Sequence, residues 1–297
     1  MLRRAARLAL ALSLGGCSLF VLDEGEFTGG RDPAADSGVD AAQDAATTPD
    51  GGGGGGDGGG GATEAGAPDA SNADGSTSKY ASTIVADGPI LYLRFGDTGG
   101  ATAKATVGSD GTYAIAGVSL GAAGALAGDP DPALTLDGTG TVSLPGASFD
   151  GLTPFSVELW VKPSATNTMY GFVVDNSNWN TPRRGWTLLV GEDGTGFERW
   201  QNDTDRNALR VDAMSAGAWH HVVGTFDGAT MRLYVDAVRV TSGASSVALP
   251  ARASTLTLGN QSCDCSGNGF IGSVDELAIY DKPLTEMQIA AHFAAAK

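Results

Sequence analysis

Residues 218–237, AWHHVVGTFDGATMRLYVDA, set two of the chain's three histidines side by side, next to a tryptophan and ahead of two aspartates. Imidazole and carboxylate groups so close in sequence are the ingredients of a metal centre or of acid–base catalysis. Strand geometry separates them. Trp219, His221, Val223 and Thr225 share one face of an extended chain while His220, Val222, Gly224 and Phe226 share the other, so the adjacent imidazoles point apart. Each face also carries apolar residues, and periodicity leaves open which histidine is buried. Asp227-Gly228 reads as the turn of a hairpin, and Asp236 is expected to end the second strand before another begins. His292, the third histidine, is expected on the solvated side of a C-terminal helix.

The carboxylates give no clearer catalytic pattern. A glycosidic nucleophile and its acid must sit about 5 Å apart on one face. The nearest clusters in residues 80–297 are the adjacent pairs Glu192-Asp193 and Asp275-Glu276, which a strand would divide between opposite faces. There is no phosphate loop and no His-x-x-x-His spacing. The expectation is a protein that is not an enzyme. Sugar binding needs an aromatic platform with polar neighbours, and Trp179 in DNSNWN and Trp200 in ERWQND have such surroundings. Partly buried packing is the alternative for both. Trp160, Trp186 and Trp219 lie in apolar runs and read as core.

The segments that carry these residues differ sharply in composition. The 297-residue chain has a net charge of −16, which argues against nucleic acid as a partner, because backbone phosphates are bound by basic surface. Residues 1–16 combine Arg3, Arg4 and Arg7 with the short apolar run LALALSL, a targeting signal too short to span a bilayer. Leu14, Gly15, Gly16 and Cys17 resemble a bacterial lipobox. The resemblance implies a lipoprotein signal peptide and acylation of Cys17, palmitate included, with a secretory signal and an incidental cysteine as the alternative. Several acyl chains would hold the protein at a membrane far better than one. Ser18 after the cysteine leans towards the outer membrane of a two-membrane envelope.

Residues 17–79 are the acylated N-terminus followed, from Asp23 to Lys79, by Gly, Ala, Asp, Ser, Thr and Pro around GGGGGGDGGGG, too poor in apolar surface to offset the entropy of ordering. They read as a disordered acidic tether spanning roughly 40 Å root-mean-square. Residues 80–297 read as one all-β domain with about thirteen short strands, from PILYLRF to FIGSVDELAIY, separated by Gly, Asp, Asn and Pro. The single helix expected is PLTEMQIAAHFAAAK, with Thr285 and Gln288 as a capping box and Leu284 and Ile289 as a hydrophobic staple.

YLRFGD near Leu93, LTLDG at Asp137, FSVELWVKP, AWHHVVGTFDG, RLYVD and FIGSVDELAIYDKPLT occur in the order of the laminin-G-like, concanavalin A-like jelly roll of the lectin and glucanase superfamily, which the domain resembles. The resemblance implies a two-sheet antiparallel sandwich with rim loops where relatives bind sugars, proteins or calcium. Its catalytic members that cleave glucans with retention carry E-x-D-x-x-E or E-x-D-x-E on one strand, a spacing absent here. In similar jelly rolls a structural calcium joins an early loop to the last strand, and Asp137 and Asp275 stand at comparable positions; turn and strand-edge hydrogen bonds are the alternative. Cys263 and Cys265, an even pair once Cys17 is acylated, are expected to form a small local disulfide, with free thiols as the alternative. The sequence thus leads to a lipid-anchored binding or adhesion module of the cell envelope that recognises glycan or another surface macromolecule. A structural envelope protein without a ligand, or a divergent glycoside-active enzyme, are the other readings.

Overall fold

The computed structural model describes residues 78–145, 149, 151, 153–166, 170–178, 183–249, 255–261 and 267–297. The chain opens with α1 (Lys79–Ala86), followed by β1 (Leu91–Leu93), β2 (Thr102–Ala103), β3 (Ala105–Val107), β4 (Gly111–Tyr113) and β5 (Val118–Ala122). Next come β6 (Ala133–Asp137), β7 (Val142–Leu144), β8 (Phe155–Pro163), β9 (Phe172–Asn178), β10 (Arg184–Gly191), β11 (Gly194–Trp200) and β12 (Arg206–Val211). The last elements are β13 (His220–Phe226), β14 (Thr230–Val235), β15 (Val238–Ala244), β16 (Leu256–Leu258), β17 (Ile271–Tyr280) and α2 (Glu286–Ala295).

Each of the thirteen apolar runs forms a strand, and the expected all-β jelly-roll sandwich is present. Four further strands, β2 to β5, come from the Gly/Ala/Thr-rich stretch after β1, where too few large apolar residues mark them in sequence. The first sheet runs β15-β14-β13-β8-β17-β1-β3, with β6 paired to β17 and β5 to β6; the second runs β12-β11-β10-β9-β16-β7-β4-β2. All the ladders are antiparallel. Between the sheets lie Phe155, Val157, Leu159 and Val161 of β8, Val222 and Phe226 of β13, and Trp186, Leu188 and Phe197 of the second sheet.

β8 departs from simple alternation because both of its faces are covered. Ser156, Glu158 and Trp160 alternate with the core residues and are buried as well, since α1 and α2 lie over the outer face of the first sheet. There Tyr80 and Ile84 of α1, Leu284, and Ile289 of α2 pack with Trp160, Val223 and Tyr280. α1 is a helix that the sequence reading lacked. Ser78 caps it by accepting from the Ala81 amide at 3.3 Å, and the burial of Tyr80, Ala81 and Ile84 holds β-branched residues in a helix against their preference. α2 matches expectation in its cap: Thr285 Oγ1 accepts from the Gln288 amide while Gln288 Oε1 accepts from the Thr285 amide.

The stretch that raised the question of chemistry is a three-strand meander. Asp227 Oδ1 accepts from the amides of Ala229 and Thr230 to close the β13–β14 hairpin, where Gly228 has φ +100°. Asp236 and Ala237 both take positive φ between β14 and β15, which suits the twist of a two-residue hairpin. Register sets His221 opposite Trp160 and His220 opposite Val161, so the two imidazoles do leave by opposite faces.

Candidate functional site

His221 and His292 converge under the helices on Glu158. The Glu158 Oε2 is 3.0 Å from His221 Nε2 and 3.0 Å from His292 Nδ1, and Tyr280 donates its hydroxyl to Oε1. His292 Nε2 lies 2.8 Å from Asp87 Oδ2, just past the end of α1. The expected solvated position of His292 is therefore corrected, as the residue is fully buried. Positions 289, 292 and 296 form one buried helical stripe. Both His292 nitrogens face carboxylates. Burial opposes its charge, but Glu158 and Asp87 more than offset this and hold its pKa above the ordinary histidine value. Burial likewise opposes the charge of Glu158, yet the two histidines bring its pKa down to about 2. This network binds helix to sheet; being sealed, it offers no substrate access.

The acidic pair near the end of the chain does not divide between faces as expected. A bulge interrupts the β17–β8 ladder between Asp275 and Ala278, and Glu276 adopts φ +55°, which brings Asp275 and Glu276 to the same side. One carboxylate oxygen each of Asp131, Asp275 and Glu276 lie within 4.8 Å of one another. Arg94 reaches the same place, with Nε 3.0 Å from Glu276 and Nη2 2.7 Å from Asp129 and 3.4 Å from Asp131. Burial raises the Asp275 carboxyl well above its usual range with Glu276 adding to it, and raises Glu276 to about 8 and Asp131 to about 6. Asp137 is elsewhere. It pairs with Ile271, four residues or roughly 13 Å along β17 from Asp275, and accepts from the Thr139 amide and hydroxyl and the Gly140 amide. Those bonds hold its carboxyl below the usual value. Asp137 and Asp275 thus do not share a site, and Asp131 and Glu276 are the partners that sequence order concealed.

The outer face of the second sheet carries a further set of polar side chains. Across it the register aligns Thr112, Ser143, Thr257, Asp175, Thr187, Glu198 and Ala208, one residue from each of seven strands. The ends of this row are exposed and its centre is buried: Asp175 and Thr187 are 0% exposed and Glu198 2%. Asp175 Oδ1 accepts from Ser177 Oγ at 2.6 Å. Glu198 Oε2 accepts from Trp200 Nε1 at 2.9 Å and Oε1 from Arg210 at 2.5 Å. Trp200 stands on this face but is only 4% exposed. The guanidinium carbons of Arg183 and Arg206 lie 4.2 and 4.8 Å from its ring centre, so the indole is enclosed by cations. Glu192-Asp193 forms the exposed turn joining β10 to β11. Cys17, Trp179, Cys263 and Cys265 lie outside the described residues.

Residues 136–290 match the family described as Laminin_G_3 of the concanavalin A-like lectin/glucanases superfamily, over more than half of the chain. The chain belongs to that family. Pappalysin-1 of Mus musculus is 21% identical over 159 residues, which is 46% of this chain and 9% of that protein. The chain thus spans less than a tenth of this relative. The binding domain of botulinum neurotoxin DC in complex with SialylT is similar in fold, with a TM-score of 0.54 at 15% identity over 71% of this chain and 52% of that one. Trypanosoma rangeli sialidase in complex with 2,3-difluorosialic acid has a TM-score of 0.54 at 14% identity, over 70% of this chain and 32% of that one. At such identities these likenesses concern the concanavalin A-like sandwich alone.

Proposed function

We propose that this chain is a non-catalytic binding module of the cell envelope that takes a glycan on the outer face of its second sheet and is lipid-anchored through Cys17. The carrying observation is the polar surface at the two ends of the transverse row, with Thr112 and Ser143 exposed at one end and Arg206 exposed beside half-buried Arg183 and Arg210 at the other. Sugar hydroxyls need directional donors and acceptors of this kind, whereas the centre of a protein interface favours apolar and aromatic surface. The sialyl ligands named with the similar toxin domain and sialidase support a glycan; the same toxin domain in complex with rat synaptotagmin II supports a surface protein as the second reading. A non-catalytic role fits the carboxylates. Asp175 and Glu198 are buried, and Glu198 commits both oxygens to Trp200 and Arg210.

Calcium belongs to the same proposal, now with Asp131, Asp275 and Glu276 as ligands. The donors are hard carboxylate oxygens of the type calcium takes; Asp275 Oδ1 is buried without a hydrogen-bond partner, and Asp131 Oδ2 has the Arg94 guanidinium at 3.4 Å. Envelope location, outer membrane if there are two, follows from acylation of Cys17, and Cys263–Cys265 is proposed as a local disulfide.

A glycan array probed with the full chain in detergent tests the function. Wild type is expected to retain at least one glycan, and Arg206→Ala to weaken it by about tenfold or more. Silence on the array together with unaltered cell-surface adhesion in a deletion strain would favour a structural envelope protein, and reducing sugar released from a glucan panel would replace the non-catalytic reading.

A further inference from the structure

Arg94 meets three carboxylates, Glu158 two histidines and Glu198 an arginine. Arg199 is different. It alternates with Glu198 and Trp200 on β11, so its side chain enters the space between the sheets beside Phe197, where it is 1% exposed. Its guanidinium carbon lies 3.5 Å from the ring centre of Phe226 on the opposing sheet. Nη1 donates to Ser245 Oγ at 2.6 Å, and that hydroxyl donates onward to Asn207 Oδ1 at 2.9 Å. No carboxylate pairs with Arg199 among the described residues, and Nε is buried without an acceptor. Burial lowers its pKa to about 10, with no opposing negative charge.

Trp186 faces Arg199 directly in the β10–β11 register and also points into the core. Its Nε1 is likewise buried without an acceptor. Side chains directly opposite in an antiparallel pair have Cβ atoms about 5 Å apart, so Arg199 and Trp186 leave their strands from one small region of the inner face. Phe155, 5.1 Å from Trp186 between ring centres, and Phe226 enclose it. An unpaired interior charge costs several kcal/mol, and buried donors normally find partners. A water held by both N–H groups would leave the guanidinium charge uncompensated. A small anion accepts from both donors and neutralises the charge.

We propose that Arg199 and Trp186 form an internal binding site for a small monovalent anion of the size of chloride, held by Arg199 Nε–H and Trp186 Nε1–H. The site lies on the inner face of β11, opposite Glu198 and Trp200, and does not depend on the glycan reading. Its anion ties the second sheet to Phe226 and Ser245 of the first and fixes the strand that carries the outer polar face.

The test uses the full chain, with melting temperature followed while chloride replaces gluconate from about 1 to 100 mM at constant ionic strength and pH. Wild type is expected to gain in melting temperature as the logarithm of chloride above its dissociation constant. Arg199→Met should abolish the dependence, and Trp186→Phe should raise the half-saturating chloride about tenfold through loss of one donor to a charge. Bromide-soaked crystals should show an anomalous peak between the two side chains. A wild-type melt indifferent to chloride, an unchanged dependence in Arg199→Met, or no bromide peak at this position would overturn the proposal. Should Arg199→Met fail to fold, the Trp186→Phe titration and the bromide map decide it.

Discussion

Glu158 is the residue on which the helix-covered side of the molecule depends. Its carboxylate receives Tyr280, His221 and His292 without access to water, so removing the charge leaves His292 buried beside an incomplete partner set. Breaking a buried charge pair costs about 3–5 kcal/mol, and Glu158→Gln is expected to lose that much in denaturant unfolding. The pH dependence has two limbs. His292 has a folded pKa above its ordinary value of 6.5, so its contribution is fully present below 6.5 and is lost as pH rises through the folded value. Glu158 is lowered from 4.5 to about 2, so its contribution is present above 4.5 and is lost as pH falls towards 2. The stability difference between wild type and His292→Gln should therefore be widest between these limits and narrow on both sides; a constant gap from acid to alkaline pH would show that His292 carries no charge here.

Elements obeyed local rules where local chemistry was sufficient. The α2 cap, Thr285 with Gln288, was legible because a capping box is completed within four residues. Thr285→Ala should cost about 1 kcal/mol by calorimetry, with the fold retained. β13 and β14 were legible for the same reason, as alternation and an Asp-Gly turn specify a hairpin without distant partners. α1 was not, because KYASTIVA is made helical by burial of Tyr80 and Ile84 against the sheet and α2. Nor was the bulge at Asp275 and Glu276, which exists to fit β17 between β8 and β1 and turns two adjacent carboxylates to one side. Exposed β15 residues read correctly as a strand but gave no sign that it would be an edge.

At the scale of the molecule, the cluster of Asp131, Asp275 and Glu276 joins the loop before β6 to the last strand across most of the domain. A cation there stabilises only the folded chain. Melts at one neutral pH are therefore expected to rise with millimolar calcium and fall with chelator, and Asp275→Asn should remove the difference; identical midpoints would refute calcium binding. The sequence alone determined the class of fold, since thirteen short apolar runs and their turns allow little besides an antiparallel sandwich, and it separated His220 from His221 because strand alternation is a local property. Tertiary structure decided which residues meet. Glu158 with His292, Asp131 with Asp275, and Arg199 with Phe226 are contacts between positions remote in the chain, set by sheet order and by which side each helix covers. Alternation tells each side chain which of two faces it takes, but not what lies across from it.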